Sequence, residues 1–144
     1  MNRNIKKKLL ISAYLKLFLK QGKQGKTEKL LKLSFSNLKK LKQVNPLILF
    51  LDFIKKARPF CEVKSLRIRG SIKKIPVIIK QNRQKGLVLR WLLTNTIGRN
   101  EKTIVEALSK ELIDTIALQS RTMKACDEMH KSAELNKIFI QSKN

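Results

Sequence analysis

The chain has 144 residues, with 33 Lys and Arg against 10 Asp and Glu for a formal charge of +23, enough chain for one domain that buries roughly two-thirds of its unfolded surface. A hydrophobic content of 42% excludes a disordered basic tail, and one Trp, one Tyr and six Phe argue against a binding surface made mainly of stacked aromatics. Cys61 and Cys126 stand far apart, outside any CxxC-type pair, so neither a disulfide framework nor a zinc knuckle is suggested and both are expected to be reduced thiols.

The basic stretch Asn2–Lys8 followed by apolar Leu9–Leu19 imitates a signal peptide. Lys16 interrupts the apolar run, no Ala-x-Ala-like cleavage site follows, and the run is too short to span a bilayer, so a mature first helix is expected. Residues 1–8 then form a short basic tail and residues 9–144 a single helical domain. From Lys8 to Lys20 the spacing puts Leu10, Ala13, Tyr14, Leu17 and Phe18 on one face, with Lys16 and Lys20 on the other. Gly22–Lys26 breaks this helix. A second, Thr27 to about Gln43, should bury Leu30, Leu31, Phe35, Leu38 and Leu41 behind an outer face of Lys29, Lys32, Lys39, Lys40 and Lys42.

Asn45-Pro46 predicts an N-cap with Pro at the first helical position, and Lys55 and Lys56 suit the negative end of a helix stopping before Pro59. Leu47–Ile54 is apolar except for Asp52, so this helix should be the most buried or face a protein. Between Cys61 and Ile79 the period changes to two, broken at Gly70-Ser71, which predicts a β-hairpin. Pro76 fits the open edge of a two-stranded ribbon. Such a ribbon is marginal alone and must pack its base on helices. A fourth helix, about Asn82–Ile97, points Leu87, Val88, Trp91 and Leu92 inward and Arg83 and Arg90 outward; Gly98 stops it and Asn100 caps the next. Ile104, Val105, Leu108, Leu112 and Ile116 define the fifth, with Glu101, Glu106 and Glu111 expected outside. The sixth runs from about Thr122 to Ile140, docking through Met123, Met129, Ala133 and Phe139. The fold class is therefore mainly α, a six-helix domain with a protruding two-stranded antiparallel β-ribbon at about 61–79.

Residues 1–100 hold 26 of the Lys and Arg and only three acids, Glu28, Asp52 and Glu62, while residues 101–144 balance seven bases with seven acids. Self-repulsion of that size costs folding free energy and is kept where a polyanion neutralises it. Ordinary solvated helix faces mix Glu with Lys four apart; helices one, two and four omit the acids, which favours phosphate contact. Other chemistries find less support. Gly22-Lys-Gln-Gly25-Lys26-Thr27 lacks the first Gly of a phosphate loop and follows a helix. Cys126, His130 and Glu134 share a helix face but have no evident fourth metal ligand, and His130, the single histidine, sits in no triad signature. No catalytic residue, metal or cofactor is expected.

Arg58-Pro-Phe-Cys-Glu62-Val63-Lys64-Ser65, the hairpin through Arg69-Gly70-Ser71, Ile75-Pro76-Val77, then Arg83 and Leu89-Arg90-Trp91 resemble the centre of the small-subunit ribosomal protein family conventionally numbered seven. Gly22-Lys23 with Leu30-Leu31 and Ser34 resembles that family's first helix turn, and His130-Lys-Ser-Ala133-Glu134-Leu-Asn136-Lys137 its last helix. The resemblance covers about Ile11 to Gln141. It implies a structural constituent of the small ribosomal subunit that binds and organises the head domain of the ribosomal RNA, beside neighbouring head and platform proteins. It also implies that the ribbon and last helix lie near the exit-site transfer RNA and the mRNA exit. The family's longer basic arm is reduced here to Met1–Lys8, and Gln119-Ser120 and Lys124-Ala125 stand where a Gly and a Lys-Arg pair are expected. The wording is most similar to mitochondrially encoded members, which points to a mitochondrial ribosome ahead of plastid or bacterial origin.

RNA in A-form is recognised by shape and phosphates. The residues expected on the ribosomal RNA face are Lys6, Lys7, Lys8, Lys23, Lys26, Arg83, Lys85 and Arg90. Lys64, Arg67, Arg69, Lys73 and Lys74 carry the ribbon's contacts, and Lys124, His130, Lys131 and Lys137 those of the last helix toward tRNA and mRNA. Alternative readings are a cationic amphipathic protein on a membrane surface and an architectural DNA binder with its ribbon in a groove.

Overall fold

The computed structural model describes residues 3–19, 21–68 and 70–139, with side chains from Ile11 onward except Ile68. Leu10, Lys20 and Ile140, assigned above to helix faces or ends, fall outside the described side chains. The elements are α1 (Arg3–Phe18), α2 (Gln24–Lys42), α3 (Pro46–Lys56), β1 (Cys61–Ile68), β2 (Ser71–Ile78), α4 (Gln81–Ile97), α5 (Ile104–Ile116) and α6 (Arg121–Leu135). This is the mainly helical domain with one antiparallel ribbon that the periodicity predicts.

Helix α1 starts at Arg3, so most of the expected basic tail is helix. Lys, Leu and Ile continue a helix readily, and no Gly or Pro intervenes before Gly22. Asn45 caps α3 as predicted, its side chain accepting from Leu47 N at 3.0 Å with Pro46 in the first turn. Helix α5 starts later than predicted, because Thr103 and not Asn100 is its cap: the Thr103 hydroxyl accepts from Glu106 N at 3.2 Å. The spacing Thr103-x-x-Glu106 is that of a capping box. Gly98 ends α4 with φ −78°, so it stops the helix without the left-handed turn expected of a C′ glycine. Helix α6 ends at Leu135, short of Ile140.

Helix α5 packs on α2, α3, α4 and α6, and the core forms around it from Tyr14, Leu31, Leu38, Phe50, Phe53, Val88, Leu92, Leu108 and Leu112. The Tyr14 and Phe50 rings lie 5.8 Å apart, and Phe50 lies 6.0 Å from Phe35 and 6.1 Å from Phe53. The greasy helix α3 thus supplies the aromatic centre, although Ile48 remains half-exposed. Three expected core residues are exposed, Leu17, Leu41 and Ile104, with Leu41 at 61%. On α2 the buried face is instead Thr27, Leu31, Ser34 and Leu38. The small Ser34 lets α5 approach, and the one Ser109 hydroxyl proton is shared between Ser34 O at 3.1 Å and Val105 O at 2.8 Å, while Leu41 is left at the edge of the interface in a cleft with Ser109 and Lys110.

Glu111, expected outside, is completely buried. One carboxylate oxygen accepts from Thr122 Oγ1 at 2.7 Å and Thr122 N at 3.3 Å, and the other from Arg99 at 2.6 Å. Arg99 also pairs with Asp114 at 2.8 Å, while Lys110 reaches Glu101 at 2.7 Å. Burial works against the Arg99 charge, but its hydrogen bonds to Glu111 and Asp114 outweigh that, holding the guanidinium above its usual range. This network fixes the α4–α5 loop against the start of α6. It also turns several acids of the neutral half inward.

Candidate nucleic-acid interface

Gly22, at φ +70°, makes the reversal between α1 and α2, a conformation glycine adopts without steric cost. Lys23 follows as the N-cap of α2 and Lys26 stands in its first turn, both exposed. Positive side chains at the positive end of a helix dipole are unfavourable there unless an anion joins them. The apparent phosphate loop is thus a helix-to-helix turn: Thr27 is buried, and its hydroxyl donates back to Lys23 O at 3.1 Å.

On α4 the buried side is Gln84, Val88, Leu89, Leu92 and Thr96, and Arg83 and Arg90 are exposed on the opposite side. A seven-residue spacing drifts only about 20° around a helix, so Leu93 and Ile97 continue the Arg90 line toward the α1–α2 turn. Leu93 and Ile97 there share a cleft with Lys23 and Lys26. The turn and the outer face of α4 therefore form one continuous surface. Lys85, half-buried, lies about 140° around α4 from Arg90 and does not belong to it. Lys6, Lys7 and Lys8 are on α1, and their side chains lie outside the described residues.

Arg83 has a different first duty from the one expected. Its Nε donates to Glu62 Oε1 and Oε2 at 2.9 and 2.8 Å, and an Nη lies 2.8 Å from Oε2. Glu62, 7% exposed at the foot of the ribbon, would be a costly buried charge without this fork-like partner. The pair latches β1 to α4, and Arg83, half-exposed, keeps only its rim toward a ligand.

Gly70, at φ +82°, turns the ribbon. The register pairs Glu62 with Val77, Lys64 with Ile75, Leu66 with Lys73, Ser65 with Lys74 and Arg67 with Ile72. Directly paired residues share a face, so Lys64 and Lys73 occupy one face and Arg67 and Lys74 the other. Cations thus line both sides of the arm. Lys64 lies 3.6 Å from Glu62, and Lys73 sits over the Phe139 ring at 5.8 Å, which ties the ribbon's charge to its base and to the chain after α6. Arg69 lies outside the described residues.

Helix α6 presents Lys124 and Lys131, seven apart and exposed, on the side opposite buried Cys126 and Ala133. Lys137 lines a cleft with Cys61, Pro76 and Ile78 of the ribbon. His130 departs from expectation. Its Nε2 accepts from Phe60 N at 3.0 Å and its ring stacks on Phe60 at 5.9 Å, so it holds the strand entry to α6 and is not a free contact. Cys126 is buried; burial first, then the charges of Asp127 and Cys61, push its thiol up to about 11. With His130 Nε2 engaged and Glu134 exposed, the Cys126-His130-Glu134 triple does not converge, and no cluster of three metal-binding side chains exists among the described residues.

Of the acids in residues 1–100, Asp52 lies 3.7 Å from Lys55, Glu62 takes Arg83 and Lys64, and Glu28 accepts from Gln24. Among the described residues, Lys23, Lys26, Arg67, Lys73, Lys74, Arg90, Lys124 and Lys131 have no carboxylate within 4.0 Å. A surface of cations without carboxylate partners on four elements, the α1–α2 turn, the ribbon, α4 and α6, is the electrostatic footprint of a phosphate-binding protein. No helix among the described residues is long and apolar enough to cross a membrane, and the buried faces of α1 and α2 are committed to the core.

The sequence matches the family described as Ribosomal protein S7p/S5e over residues 1–137. It is 40% identical over 118 residues, 82% of this chain and 74% of the relative, to the small ribosomal subunit protein uS7m of Reclinomonas americana. It is 35% identical over 130 residues to uS7 of Phytoplasma mali, and 31% identical over 130 residues to uS7 of Anaeromyxobacter sp. strain K, in both cases covering 90% of this chain and 83% of the relative. With agreement of that extent, the chain belongs to the Ribosomal protein S7p/S5e family.

Proposed function

We propose that this chain is a structural, non-catalytic constituent of the small subunit of a mitochondrial ribosome, where it binds and organises the head domain of the ribosomal RNA. The observation that carries the reading is the set of cations without carboxylate partners on the α1–α2 turn, α4, the ribbon and α6. Each replaces condensed counterions on RNA phosphates, and because they sit on different rigid elements they hold RNA helices at fixed relative angles. The mitochondrial assignment draws on the uS7m relative and on the wording of the ribbon segment. The arm, with Lys64 and Lys73 on one face and Arg67 and Lys74 on the other, reaches toward the exit-site tRNA, and Lys124 and Lys131 of α6 toward the mRNA exit.

Sedimentation of lysed, purified mitochondria at moderate salt tests this directly. The chain is expected to run stoichiometrically with small subunits, and to leave them only at high salt. A chain that stays at the top of the gradient, or floats with membranes, refutes the proposal.

A further inference from the structure

At the end of the domain where α1, the α1–α2 turn, α4 and the start of α5 meet, the surface opens into a cleft of about 200 Å³. Leu17, Phe18, Leu30, Leu93, Ile97 and Ile104 line it, and Lys23 and Lys26 stand at its mouth. Leu17, Ile97 and Ile104 are 37%, 51% and 45% exposed. Clustered apolar surface left open in a concave site marks a ligand.

We infer that this cleft takes a single unstacked base of the bound RNA, with Lys23 and Lys26 on the phosphates to either side of it; the inference rests on the RNA-binding function proposed above. Size favours this occupant. A drug-sized ligand needs roughly 300–1,000 Å³, and the cleft is smaller, yet ample for one planar ring system. Charge favours it too: both cations at the mouth lack carboxylate partners, and the Arg90 line of α4 leads into the cleft, so a phosphate backbone following that line arrives at its entrance. Sequence-specific RNA contacts are made mostly to splayed bases stacked on aromatic side chains, and Phe18 supplies a half-buried ring. Gln21, whose carbonyl oxygen already accepts from Lys23 Nζ at 2.8 Å, leaves its amide NH2 for the edge of a base. This would be a point of base contact in an otherwise backbone-reading surface.

The test uses the full chain bound to head-domain small-subunit RNA transcribed in vitro, irradiated with short-wavelength ultraviolet light and mapped by mass spectrometry. The expected result is a nucleotide cross-linked to Phe18 or its immediate neighbours. Phe18→Leu should keep the cleft apolar but weaken binding by about tenfold, the loss of one base–aromatic stack. Ile97→Trp, at an exposed position that tolerates bulk, should fill the cleft and abolish the cross-link. Neither variant alters charge, so both should retain the wild-type dependence of affinity on salt, whereas Lys23→Gln should lower that slope by about one phosphate. Wild-type affinity in both variants together with no cross-link at the cleft overturns the inference while leaving RNA binding intact. So does a fatty acid or detergent that fills the cleft without displacing RNA. A flat salt dependence in the wild type would instead overturn the proposed function itself.

Discussion

Replacing Arg99 with Met should cost more stability than removing any exposed cation, because of what it leaves behind. Arg99 neutralises Glu111, whose side chain is 0% exposed and which has no water to fall back on. After Arg99→Met, Thr122 still donates to one carboxylate oxygen, while the other loses its 2.6 Å partner. Breaking a buried pair by deleting one member costs about 3–5 kcal/mol. The retained Thr122 donors, and the 19% exposure of Arg99, place the expected loss at the lower end, about 3 kcal/mol, a large share of the roughly 5–15 kcal/mol of a typical domain. Neutralising the orphan should rescue it. In Arg99→Met/Glu111→Gln the amide oxygen can still accept from Thr122, so the double variant should recover about 2 kcal/mol relative to Arg99→Met alone. Urea unfolding followed by circular dichroism measures this, provided the slope m is unchanged. A loss below about 1 kcal/mol in Arg99→Met, or no recovery on adding Glu111→Gln, would refute the reasoning that an unpaired buried charge sets the cost.

Tyr14 Oη is buried without a hydrogen-bond partner among the described residues, and burial pushes its phenol far above the usual range. Tyr14→Phe should therefore raise stability by up to about 1 kcal/mol in the same urea assay, and destabilisation would contradict the assignment. Cys126, pushed up to about 11 by burial, should resist N-ethylmaleimide at neutral pH while half-buried Cys61 reacts, giving one labelled thiol in the native protein and two after denaturation; equal labelling rates would exclude the described packing. The hydrogen bond from Lys110, against a smaller desolvation penalty, together with the attraction of Lys110 and Arg99, holds Glu101 below its ordinary 4.5. Its contribution is then fully present above pH 4.5 and lost as the pH falls through the lower folded-state value. Glu101→Gln should erase that part of the acid limb of the stability–pH curve, and an unchanged acid limb would show that the pair contributes nothing.

What could be read from the residues alone follows from the range of the interactions involved. Asn45-Pro46 is a cap because the capping bond spans two residues, and the ribbon is legible because alternation and the Gly70 turn are both local. The Thr103-x-x-Glu106 signal is equally local, but Asn100, three residues earlier, offers a competing cap. Glu111 escaped because its partners, Arg99 and Thr122, lie twelve and eleven residues away, and a carboxylate on an otherwise amphipathic helix is normally solvated. Arg83 and His130 look like surface groups in the sequence for the same reason, since their partners are 21 and 70 residues distant. The basic face as a whole was legible because it needs no particular contact, only the absence of acids. Its continuity across α4 and the α1–α2 turn, and the cleft between them, depend on how the helices pack.

The most direct test of phosphate-based RNA recognition is the affinity of the full chain for isolated head-domain small-subunit RNA as a function of salt. If six to ten phosphates are neutralised, the logarithm of the affinity should fall linearly with the logarithm of salt, losing roughly a thousandfold or more between about 50 and 200 mM. Binding that barely changes across that range would contradict the account.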